Sequence, residues 1–147
     1  MKIVRMEKNH ISSLVELEKL CFSSPWSEKA FEDEVENPLA VFLVAEEEQP
    51  LGYVGCLFVC GEGAVTNVAV FPEHRRKGVA KALLTALQAE AEKIDAKRIT
   101  LEVRKSNTSA IELYKKLGYT VCGERPNFYT KPTENAILME LKIGNQL

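Results

Sequence analysis

Apolar positions in this chain come in two rhythms: short runs of strand character and stripes at helical spacing, with polar turns between them. Lys2 to Met6 reads as a short first strand. Ile11, Leu14 and Val15, continuing through Glu18 to Cys21, carry helical spacing. Pro25-Trp26 breaks it, and Ser27 is an N-cap for a second helix containing Ala30, Phe31 and Val35. Asn37-Pro38 ends that helix, because the residue before a proline avoids the helical region. Ala40 to Ala45, Leu51 to Cys60 and Ala64 to Phe71 read as strands. A polar tip, Glu46 to Pro50, joins the first two, and a Gly61-Glu62-Gly63 turn joins the last two.

A third helix is predicted from about Lys77 to Ile94, with Val79, Ala82, Leu83, Ala86, Leu87 and Ile94 as its apolar face. Lys97 to Val103 is the next strand. Asn107 or Ser109 caps a fourth helix, the latter with Glu112 as a capping box. Ala110, Leu113, Tyr114 and Leu117 line one face of it, and Gly118 is suited to end it. Tyr119 to Gly123 is a strand, Glu124 to Asn135 a polar loop, and Ala136 to Leu141 the last strand. The order is β-α-α-β-β-β-α-β-α-β-β. Two of these helices join strands that need crossovers, so a mixed sheet with helices on both faces follows.

With 147 residues, 46% hydrophobic and 27% charged, the chain suits one domain, 1–147, around one core. Disorder is expected only at the tail, Gly144 to Leu147. Net charge is -2, which gives no global attraction to nucleic acid. No apolar run approaches the roughly 20 residues of a membrane span, and the N-terminus lacks a signal-peptide core. Cys21, Cys56, Cys60 and Cys122 make no zinc tetrad, so no metal is expected and free thiols in a reduced cytoplasm fit them.

Against that near-neutral background the run Asn67 to Leu84, NVAVFPEHRRKGVAKALL, stands out. A buried strand enters a basic turn, Arg75-Arg76-Lys77-Gly78-Val79-Ala80, and a helix starts without a gap. Such a turn binds phosphate, because first-turn N–H groups lack helical partners and the dipole favours an anion. A helix start with a solvated basic cap fits the same string.

Element order and turn together resemble the GCN5-related N-acetyltransferases (GNAT), over nearly the whole chain. The C-terminal half is similar to the RimI-type enzymes, which acetylate protein N-termini, in bacteria on a small-subunit ribosomal protein. The matching stretches are Leu101 to Asn107, Ala110 to Tyr114, Leu117 to Tyr119, Arg125 to Tyr129 and Glu134 to Met139, with Cys21 to Ser27 before them. Phe128 stands where a tyrosine is usual, and Asn135 where an aspartate is usual.

The resemblance implies the GNAT fold, an α/β (α+β) chain with a mostly antiparallel sheet of six to seven strands. It implies acetyl-CoA as co-substrate. Arg75, Arg76, Lys77, Gly78, Val79, Ala80 and Lys81 would cradle its phosphates, Val68-Ala69-Val70 would meet its pantetheine arm, and Asn107 would contact it besides capping a helix.

Glu102 lies in an apolar strand, where a carboxylate is costly without a partner or a purpose. Pairing with Arg104 is one reading and general base the other. Burial would raise its pKa toward a useful value. Tyr114 fits a core position, and by resemblance it is the acid that protonates the departing thiolate. Tyr129 and Glu134 are expected at the acceptor peptide, while Trp26 reads as a hydrophobic staple.

The implied partner is a protein or peptide N-terminus, with no nucleic acid and no membrane, and the chain a monomer or weak dimer. Acetylation of a small-molecule amine or a lysine is the alternative, as is a non-catalytic acyl-CoA-binding module.

Overall fold

The computed structural model describes residues 1–144; of the tail expected to lack order, Asn145, Gln146 and Leu147 lie outside them. The strands are β1 (Lys2–Arg5), β2 (Ala40–Glu46), β3 (Pro50–Val59), β4 (Glu62–Val70), β5 (Arg98–Arg104), β6 (Thr120–Tyr129) and β7 (Glu134–Lys142). The helices are α1 (Ile11–Cys21), α2 (Glu28–Val35), α3 (Val79–Lys93) and α4 (Thr108–Lys116). The predicted element order holds throughout.

One sheet runs β1-β2-β3-β4-β5-β7-β6, antiparallel except where β4 meets β5. That parallel pair follows from the α3 crossover. It is also short. Pairing runs from Glu62↔Arg98 to Ala64↔Thr100 and then stops. Just beyond, Thr66 is an extra residue, because Gly55 pairs with Asn67 while Cys56 pairs with Val65. This bulge bends β4 away from β5 and opens the sheet between them.

Helices cover both faces, as expected. On one, Leu83, Leu84, Leu87 and Ala91 of α3 pack with Leu43, Val54, Ile99 and Met139. On the other, Leu14 and Leu17 of α1 and Phe31 of α2 pack with Phe42, Val44 and Tyr53. Each such fully buried side chain contributes about 1.5–3 kcal/mol of burial free energy.

Four local readings are corrected. The β3–β4 turn is Cys60-Gly61, with φ of 52° and 79°, a type I′ pair that suits the twist of a two-residue hairpin. Gly63 is inside β4. Helix α3 stops at Lys93, so Ile94 leaves the helical spacing and is 55% exposed, and Ala91 takes the buried place. Asn107 alone caps α4, accepting from Ala110 N at 3.3 Å, while the Ser109 hydroxyl turns back to the Asn107 oxygen. The polar stretch Glu124 to Asn135 is mostly strand. β6 is an edge strand exposed along most of its length, so it shows no apolar alternation and tolerates Pro126.

Candidate active site

Two adjoining cavities, of about 560 Å³ and 710 Å³, lie along the free part of β4, the smaller reaching β5 and the larger reaching α3 and α4. Cys21, Phe22, Val68, Asn107 and Tyr114 line both. Either is large enough for part of an extended ligand.

The larger cavity is built on the basic turn. Arg75, Arg76, Gly78, Val79, Ala80 and Lys81 line it, with Val68, Ala69 and Val70 on its β4 side. Gly78 is the N-cap of α3 at φ 80°, a conformation that suits glycine, and no side chain caps the helix. The first-turn N–H groups are therefore left for a ligand. A Cβ on Gly78 would meet nothing within 4 Å, so the space above these amides is open. Arg76 also has positive φ, at 63°, a strain of the kind stored at binding turns. Lys77 is exposed and does not line the cavity. Arg75 is partly committed elsewhere, with Nε donating to the Val70 carbonyl at 3.1 Å and Nη2 to Cys21 Sγ at 3.3 Å.

β4 shapes the rest of this wall. Past Ala64 its outer edge has no strand partner, which leaves Val68 to Val70 able to pair with an amide-bearing arm as with a strand. The turn, the open helix start and this edge together fit acetyl-CoA. Replacing Gly78 by Ala would add about 1–2 kcal/mol of backbone strain, because its φ of 80° suits glycine and not a residue with a Cβ. Calorimetry should then show acetyl-CoA Kd raised about ten-fold. An unchanged Kd would remove Gly78 from the phosphate site.

The smaller cavity holds Glu102, Tyr129, Phe128 and Trp26. Glu102 faces this space with its side chain 35% exposed, so the expected burial is absent. Nor is Arg104 its partner. Arg125 Nη1 of β6 lies 3.7 Å from Glu102 Oε1, a long and solvated contact of small energy. Arg104 instead binds Glu134 at 3.2 Å and the carbonyls of Thr130 and Pro132, and stacks 4.5 Å over the Tyr129 ring. This fixes Tyr129 in the cavity wall.

Glu134 does not line the cavity. It accepts from Ser106 N at 2.7 Å, which, with Arg104, holds its carboxyl below the usual range. Asn135 donates to Glu124 at 2.7 Å and accepts from Asn127 N. An aspartate there would face Glu124 carboxylate to carboxylate, which explains the asparagine.

Tyr114 stands where the cavities meet and is 8% exposed. Burial pushes its hydroxyl up to about 12. It therefore keeps its proton throughout the neutral range and is equipped to donate it. Trp26 both packs on Phe31 and Phe42, at 5.3 and 5.7 Å between ring centres, and lines the smaller cavity.

Sequence reasoning missed Glu18 and Asn67. Glu18 is wholly buried on α1 and accepts from Trp26 N, Tyr53 Oη and Asn67 Nδ2. Its signal was a carboxylate on the apolar stripe of α1. Asn67, a polar residue inside a strand run, lines the smaller cavity.

A basic turn at an uncapped helix start, an unpaired strand edge and a buried tyrosine hydroxyl in one cleft fit an acyl-CoA-dependent transferase. The Acetyltransferase (GNAT) family model matches residues 11–119, and the chain belongs to that family. A Bacillus subtilis relative is 38% identical over 141 residues, 95% of this chain and 93% of its own. The ribosomal protein bS18-alanine N-acetyltransferase of Escherichia coli is 33% identical over 144 residues, 97% of each chain. A crystal structure of the Escherichia coli enzyme superposes with a TM-score of 0.88 at 32% identity, covering 99% of this chain and 97% of that one. The chain is thus an acetyl-CoA-dependent acetyltransferase.

Proposed function

We propose that the chain, acting as a single domain, acetylates the N-terminal α-amine of a protein. The observation that carries this is the meeting of the two cavities at Tyr114, with the phosphate turn at one end and Glu102 at the other. By likeness to the Escherichia coli relative, the acceptor is the N-terminal alanine of ribosomal protein bS18, in the cytoplasm.

Bound acetyl-CoA supplies an activated acyl group as a thioester. The chain's residues do the rest. Arg76, Gly78 and the α3 amides hold the phosphates, while the β4 edge aligns the arm. Tyr129 and Trp26 shape the acceptor cavity. The Glu102 carboxylate takes one proton of the incoming ammonium; the Tyr114 hydroxyl protonates the leaving thiolate and is restored by the second proton that the nitrogen sheds on becoming an amide. An α-amine has a pKa of about 7.7–8.0 against about 10.4 for lysine, so an α-amine needs little help from a solvated carboxylate. This favours the N-terminus over lysine.

Two measurements test it. Peptides with free N-termini should release CoA, and blocked peptides with internal lysine should not; the reverse overturns the acceptor. With a free-terminus peptide, kcat/KM should rise with pH through about 7.7–8.0, as the amine loses its proton. Because the Tyr114 hydroxyl titrates at about 12, no falling limb should appear below about pH 10. A falling limb near pH 9 would mean that the essential acid titrates there, which the burial-raised Tyr114 hydroxyl does not.

A further inference from the structure

We propose that Asn67 contacts the acceptor amine, and that Glu18 is the positioning residue that turns the Asn67 amide oxygen toward it. The inference rests on the amine-acetylating reading of the cleft. Glu18 lies at 0% exposure beneath the acceptor cavity. Tyr53 Oη donates to its Oε2 at 2.7 Å, Asn67 Nδ2 to the same oxygen at 3.0 Å, and Trp26 N to Oε1 at 2.8 Å.

The Glu18 carboxyl accepts hydrogen bonds at both of its oxygens. It therefore engages Asn67 through the NH₂ group, and the acceptor that Asn67 has left to offer is Oδ1. Asn67 lines the acceptor cavity, one residue after the Thr66 bulge and one before Val68, which lines both cavities. An amine arriving beside Val68 brings N–H donors and needs an acceptor there. The same carboxylate holds the Trp26 backbone, whose ring is another wall of that cavity. Glu18 thus ties the turn after α1 to the bulged part of β4, fixing both sides of the amine's seat.

A purely structural role for Glu18 would change stability and leave the amine's affinity alone. Steady-state kinetics on purified full-length protein with a free-terminus peptide separates the two. Asn67→Leu should raise peptide KM about ten-fold, the worth of one lost hydrogen bond to a polar group, with acetyl-CoA Kd unchanged. Glu18→Gln introduces a donor at that spot and lets the Asn67 amide reverse, so it should raise peptide KM similarly. The double variant should be no worse than Asn67→Leu alone, because both changes remove one interaction. Asn67→Ser restores an acceptor and should recover part of the KM, which decides the matter if Glu18→Gln folds poorly.

Unchanged peptide KM in Asn67→Leu, or additive losses in the double variant, overturns the inference. A wild type inactive on every free N-terminus overturns this and the acceptor assignment together. An active wild type matched by Asn67→Leu overturns this inference alone.

Discussion

Tyr114→Phe should lower kcat by about 10²-fold or more, while acetyl-CoA still binds. The ring is 8% exposed and packs 5.9 Å from the Tyr119 ring, so phenylalanine keeps the shape. Only the hydroxyl is lost. That hydroxyl is protonated at neutral pH because burial disfavours its anion. Without it the leaving thiolate has no nearby donor and returns to the acyl carbon. Glu102→Gln should cost less, about ten-fold at pH 7 and little at pH 9, since a neutral amine no longer needs a base. Stopped assays of CoA release with saturating peptide check both. A Tyr114→Phe enzyme with near-normal kcat would return Tyr114 to the core and leave the acid unassigned.

Glu18→Ala should reduce unfolding free energy by about 3–5 kcal/mol, with more than one donor left unpaired. Tyr53 is wholly buried, and its hydroxyl, raised in pKa by burial and by Glu18, donates to that carboxylate. Trp26 N and Asn67 Nδ2 lose the same partner. Tyr53→Phe removes one donor with its acceptor still satisfied by the others, so it should cost about 1 kcal/mol. Urea unfolding of the two variants measures the contrast. Equal small losses would mean that water replaces the carboxylate and that the network is not a support.

The opening of the cleft explains why these residues act together. Where β4 and β5 stay paired, at Ala64 and Thr100, no ligand enters between them. Beyond the bulge the strands part, which leaves β5 at Glu102 paired to β7 alone and opens the cavity beside it. The same separation leaves the β4 edge from Val68 to Val70 free of a strand partner. One extra residue, Thr66, therefore serves both the acceptor end and the cofactor end.

The amino-acid sequence by itself determined the order of elements, the crossover helices and the basic turn with its glycine ahead of α3. These rest on local rules: helical spacing in Val79, Leu83 and Leu87, the Ser27 cap, and the glycine at 78. Asn107 was legible as the cap of α4 and Tyr114 as part of its apolar face, while a role for Tyr114 as acid came only from the family resemblance.

What the tertiary structure decided is which side chains meet. Glu102 paired with Arg125, not with Arg104 two residues away, because β7 and β6 bring Arg125 across the sheet edge. Arg104 went to Glu134 for the same reason. The strand character of Glu124 to Tyr129 depends on hydrogen bonds to β7, which no local propensity records. Glu18, Tyr53 and Asn67 lie on three elements, up to 49 residues apart, and only packing makes them one site.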